Sequence, residues 1–132
     1  MNGSKSSAAA PSGVQGICPG GWHVPSSAEW DTLVNFAGGN KTAGCYLKAD
    51  NYAWNSYAGI SNLDAYGFSA LPGGYYNSAF SLAYLEGFWW TATKYTSTFA
   101  YLRNIFYNAC GVGTFTNPNA SGFSLRCVQD PG

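Results

Sequence analysis

The sequence predicts a loop-rich α+β domain, with one or two early helices packed on a twisted antiparallel sheet formed late in the chain. Three observations predict it. Apolar residues recur at helical spacing over residues 27–36. The clearest strand-like runs, 87–93, 99–107 and 123–128, all lie in the last third or so of the chain. Gly, Pro and Asn clusters punctuate the stretches between them, as short strands and turns require.

The first helix has both of its ends written out. Ser26 or Ser27 suits the cap, and Ser26 with Glu29 fits a capping box, in which each side chain satisfies the other's free backbone N–H. Trp30, Leu33, Val34 and Ala37 follow the i, i+3, i+4, i+7 stripe. Gly38-Gly39 ends the helix through a left-handed cap, and Pro25 keeps the preceding chain extended. A shorter helix is expected over about residues 42–48, with Cys45 and Tyr46 or Ala49 inward.

Residues 50–62 read as an ordered loop pinned by Trp54. A short strand is expected over 67–71, stopped by Pro72-Gly73-Gly74. Strand 87–93 places Trp89 and Trp90 on opposite faces, because side chains alternate along a strand. Strand 99–107 is followed by a turn at 110–113, a short return over 112–116, a second turn at Asn117-Pro118-Asn119 and a last strand over 123–128. Trp22, Trp30, Trp89 and Trp90 are the expected core rings.

The chain has 132 residues, enough for one domain with one core. Residues 1–16 are Ser-, Ala- and Gly-rich and read as a polar loop or the truncated start of the domain; residues 17–130 are the domain proper. Charged residues make up only 9%, six basic against six acidic, so no basic patch exists to follow a phosphate backbone and nucleic acid is excluded as a partner. No stretch is long enough to span a membrane. No basic leader with an apolar core opens the chain, so an export signal is expected upstream of it.

Four cysteines in a small, Lys-poor, aromatic chain suit an oxidising compartment, which places the domain outside the cell or on its surface. Cys18 and Cys127 stand at the two ends of the chain and are the expected disulfide, which clamps it into one closed loop; the alternative is two buried thiols. Cys45 and Cys110 either form a second pair or stay buried and inert. There is no Cys-x-x-Cys and His23 is the only histidine, so no zinc site is expected.

Enzyme chemistry finds little support. His23 has no other histidine and no nucleophile motif beside it, and reads as a structural imidazole. Of the carboxylates Glu29, Asp31, Asp50, Asp64, Glu86 and Asp130, the first two stand at a helix start, where the dipole favours them. Asp50, Asn51, Asn62 and Asp64 are the oxygen donors a calcium ion would recruit, but no cofactor is expected. The compositional excess is aromatic: 10 Tyr, 8 Phe and 5 Trp beside 17 Gly. Rings either fill a turn-rich core or, with Ser and Asn, build an adaptable binding surface.

Several stretches, taken in order, resemble the Fibrobacter-succinogenes-major-paralog (FISUMP) domain family. They are Cys18-Pro19-Gly20-Gly21-Trp22-His23-Val24-Pro25, the helix opening 26–30, and Asp64-Ala65-Tyr66-Gly67-Phe68-Ser69-Ala70-Leu71-Pro72-Gly73-Gly74-Tyr75. Gly87-Phe88-Trp89-Trp90-Thr91-Ala92-Thr93 and Gly122-Phe123-Ser124-Leu125-Arg126-Cys127-Val128 complete the set. The resemblance implies a C-type-lectin-like fold related to the formylglycine-generating-enzyme variant. It implies a bacterial protein of the cell surface, often a lipoprotein tethered through an upstream segment. It also implies that a first strand precedes the present start, leaving an edge beside residues 123–128. Cys45 and Cys110 depart from the family pattern.

In lectin-like proteins diversified by retroelements, alternate positions of a late strand and its flanking loops vary and form the ligand surface. Along residues 100–108, Tyr101, Arg103, Ile105 and Tyr107 resemble the framework, whereas Leu102, Asn104, Phe106 and Asn108 fall on the opposite face. With Tyr95, Thr96, Phe115 and Asn117 from adjoining loops, these are the expected ligand-binding residues. Arg103 is expected to brace the frame. The expected ligand is a protein or a glycan on a cell surface. The alternative is a structural or adhesive module of a bacterial envelope protein with no specific ligand.

Overall fold

A computed structural model describes residues 6–132; the first five residues of the expected polar start lie outside the described residues. In chain order the elements are β1 (Trp22–His23), α1 (Ser27–Phe36), α2 (Ala43–Leu47), β2 (Tyr75–Tyr76), β3 (Phe80–Ser81), β4 (Glu86–Lys94), β5 (Phe99–Phe106), β6 (Val112–Pro118) and β7 (Val128–Gln129). Strands β4, β5 and β6 form an antiparallel meander, while β1 pairs with β7 and β2 with β3.

The expected capping box starts α1. Ser26 Oγ accepts from the Glu29 N–H at 3.1 Å, and Glu29 Oε1 accepts from the Ser26 N–H at 3.2 Å. A ten-residue helix is marginal alone in water, so packing must hold it. Trp30, Val34 and Ala37 supply that packing against α2, Trp54, Trp89 and Ile105. Each fully buried ring or branched side chain contributes about 1.5–3 kcal/mol. Trp90, the neighbour of Trp89, faces the other side of the sheet and packs with Ala100 and Leu102.

Loop segments complete the free edge of β4. Ser124 exchanges backbone bonds with Phe88 and Trp90, Pro25 accepts from the Ala92 N–H, and Ser7 donates to Ala92 O. An open edge would be a template for unwanted pairing, and these segments cover it. Val14, within the expected polar start, is buried with Cys18, Val24 and Ala92 and belongs to the folded body.

Cys18 is bonded to Cys127 across 109 positions, and Cys45 to Cys110 across 65. The second bond fastens α2 to the turn between β5 and β6. Two further contacts lock the same joint. Gly44 N–H donates to Cys110 O at 2.9 Å, and a Cβ on Gly44 would stand 2.6 Å from Gly111 O. Lys48, fully buried, donates to Phe106 O at 2.8 Å and Ala109 O at 3.1 Å, with its ammonium over the Trp54 ring.

Three local expectations need correction. Residues 67–71 form no strand beyond a single bridge from Ala70 to Lys48. Asp64 accepts from both the N–H and the hydroxyl of Ser69, and both residues take positive φ, which closes a turn and forbids an extended run. Residues 123–127 are also irregular, and only β7 is a strand. Arg126 turns away to donate to Phe68 O and stack on the Phe68 ring, while Phe123 is drawn into a cluster with Trp90, Phe88 and Tyr75. Trp22 is not a core ring: it is 39% exposed, because in the two-residue β1 the inner position belongs to His23.

Candidate functional site

The register of the meander decides which side chains share its outer face. On β5 this face carries Ala100, Leu102, Asn104 and Phe106. Their partners are Trp90, Phe88 and Glu86 on β4, and Asn117, Phe115 and Gly113 on β6. Side chains directly opposite lie close enough to interact, so the face is one continuous patch. A concavity of about 290 Å³ opens in it, lined by Glu86, Phe88, Leu102, Asn104, Phe106, Phe115, Thr116 and Asn117. It is large enough for one side chain or one sugar ring, at the small end of ligand sites.

Five of the eight expected ligand-binding residues meet here: Leu102, Asn104, Phe106, Phe115 and Asn117. Leu102 and Asn104 are not displayed outward as expected; they are 1% and 2% exposed and form the floor. Leu102 is covered because Phe88, Phe123 and Leu125 pack over that part of the face. The other three stand apart. Tyr95 packs edge-on against Tyr101, on the framework row. The Thr96 hydroxyl accepts from the Phe99 N–H at 3.1 Å and shapes the β4–β5 turn. Asn108 is exposed in the turn after β5.

Glu86 and Phe88 were missed. The alternation Glu86, Phe88, Trp90 along β4 would have found them, once β4 was paired with β5 in the observed register. Asn104 Nδ2 donates to Glu86 Oε2 at 3.3 Å, which fixes the orientation of the amide. Its Oδ1, buried, has no hydrogen-bond partner. That oxygen lies against Gly113, where any Cβ would collide with it.

The opposite face of the sheet is frame. Arg103, 2% exposed, donates through Nη2 to Asp31 Oδ1 at 2.6 Å and to Ser27 Oγ at 2.8 Å, and so holds β5 to the start of α1. His23 is buried with Nε2 at 2.7 Å from Glu29 and Nδ1 at 2.7 Å from Asp130. Only the imidazolium donates from both nitrogens. Burial disfavours that charge, but the two carboxylate bonds and charges outweigh it and raise the pKa above 6.5. Burial lowers the Lys48 pKa to about 8.

A larger hollow of about 670 Å³ lies between α1 and the C-terminal segment. Its ionisable side chains are committed to the frame. Glu29 accepts from His23, Ser12 and Ser26, and Arg126 serves Phe68. Trp30 Nε1 is unpartnered there but is itself buried. Of the calcium candidates, Asp64 is engaged by Ser69, and Asn51 Oδ1 accepts from the Ala53 N–H. Among the described residues no three His, Cys, Asp or Glu side chains gather as metal ligands, and no helix is long and apolar enough to cross a membrane.

The profile of the Fibrobacter succinogenes major domain matches residues 6–129. The chain belongs to this family. The match takes in every element of the fold, from the segment before β1 to β7. No curated protein matches the chain, and no solved structure does. Family membership therefore names no ligand, and the two disulfides are compatible with an extracellular setting.

Proposed function

We propose that this Fibrobacter succinogenes major domain is an extracellular binding module with a C-type-lectin-like frame, which recognises a protein or glycan on a cell surface through the outer face of its meander. The observation that carries the reading is the concavity beside Phe106 and Phe115, where aromatic rings stand with the Glu86 carboxylate and the Asn117 amide. Two disulfides and the Arg103 and Lys48 braces hold the frame under the patch, so binding would lose little entropy to ordering the site. Recognition would need no covalent chemistry. Retroelement diversification of residues 102, 104, 106 and 108 belongs to the same reading, and adenine-rich codons there beside a near-copy repeat would be its mark.

Protein and glycan arrays test this. A captured ligand should be lost with Phe106→Ala and Phe115→Ala, and a ligand indifferent to both overturns the reading. A structural or adhesive module without its own ligand is the second reading. It is favoured by the exposed rings of Tyr76, Phe80 and Tyr84, and it predicts no specific hit on either array.

A further inference from the structure

The concavity on the outer face holds one charged group, Glu86, among aromatic rings, with the Thr116 hydroxyl and the Asn117 amide on its β6 wall. Glu86 brings a carboxylate that has no ion-pair partner among the described residues. The nearby Asn104 donates through Nδ2 to that carboxylate, while its buried Oδ1 lies against Gly113. The remaining walls include the rings of Phe88, Phe106 and Phe115. A carboxylate among aromatic rings calls for a group that is positively charged, carries several N–H donors and tolerates ring surfaces. Ammonium and guanidinium groups meet all three requirements.

We infer that this concavity receives a Lys or Arg side chain of a partner protein, with Glu86 as the charge that selects it. The inference rests on the binding-surface reading and narrows its ligand to a protein presenting a cation. A sugar hydroxyl also donates, but it leaves the Glu86 charge uncompensated. A neutral apolar side chain leaves the Glu86 carboxylate unserved, which is the costlier mismatch in a partly desolvated site. The volume suits one such side chain.

The test is an NMR titration of the intact chain with N-acetyl-lysine methylamide and N-acetyl-arginine methylamide. N-acetyl-norleucine methylamide and methyl glucoside are the neutral controls. The Asn104 side-chain amide should shift with the cationic probes, weakly and less so at high salt. Glu86→Gln should weaken that binding by about tenfold, as expected for losing a charge-assisted bond. Shifts of equal size with norleucine or the glucoside overturn the cation, as does a response unchanged in Glu86→Gln or no response at Asn104. For a ligand captured on an array, loss with Phe115→Ala but not with Glu86→Gln overturns the cation and keeps the surface. Indifference to both substitutions overturns the surface as well.

Discussion

His23 and Asp130 stand 107 positions apart in sequence and meet at 2.7 Å, imidazole Nδ1 to carboxylate Oδ1. The contact pins the segment after β7 beneath β1, close to the Cys18–Cys127 bond, and Glu29 holds the other ring nitrogen from α1. One buried ring thus joins three parts of the chain.

The join is pH-dependent, and its sign follows from the raised pKa. The folded state holds the proton more tightly than the unfolded chain, so the stabilisation is complete below pH 6.5 and is lost as pH rises through the folded value. Tm should therefore fall between pH 6.5 and 8, and Asp130→Asn should flatten that slope. A Tm that is constant or rising over this range would contradict the assignment.

Lys48 gives the opposite slope at higher pH. Its pKa is about 8 in the fold against an ordinary 10.5, so the unfolded chain binds the proton more strongly between those values. Stability should rise with pH across that window, and the rise should vanish in Lys48→Met. The same substitution leaves Phe106 O and Ala109 O without their donor and should cost about 2–3 kcal/mol at pH 7 by urea unfolding.

The two disulfides close loops of 109 and 65 positions. Chain entropy sets an upper contribution of about 4.8 and 4.3 kcal/mol respectively. Removing either bond by paired Cys→Ser substitution should lower stability by at least about 2 kcal/mol. The effects should differ little, because the entropy grows only with the logarithm of loop length. Mass mapping without reduction should find Cys18 with Cys127 and Cys45 with Cys110; any other pairing would be inconsistent with the fold.

Leu102 and Phe115 are register partners with opposite roles. Leu102→Ala empties a site that is 1% exposed and should cost about 2–4 kcal/mol. Phe115, 51% exposed, should tolerate alanine within about 0.5–1 kcal/mol while losing ligand. Similar stability losses in the two variants would mean that both belong to the interior.

How much of this was legible along the chain depends on how local the cause is. The capping box of α1, the stripe from Trp30 to Ala37 and the alternation along β4 and β5 arise from neighbours within a few residues, and all appear in the structure. Where expectation and structure part, the cause is distant. Arg126 bends its segment toward Phe68, 58 positions away, and Ser69 bonds Asp64 where the pattern alone suggests a strand.

The sequence by itself determined the α+β class, the first helix, the order of the late strands and the two faces of β5, because period and capping are properties of adjacent residues. Only the tertiary structure decided that Cys45 joins Cys110, since the sequence left these two free either to pair or to stay buried as thiols. It also decided that Leu102 and Asn104 form a floor and that Glu86 stands beside them. Alternation tells which face a side chain takes; what covers that face, here Phe123 and Leu125, arrives from elsewhere in the chain.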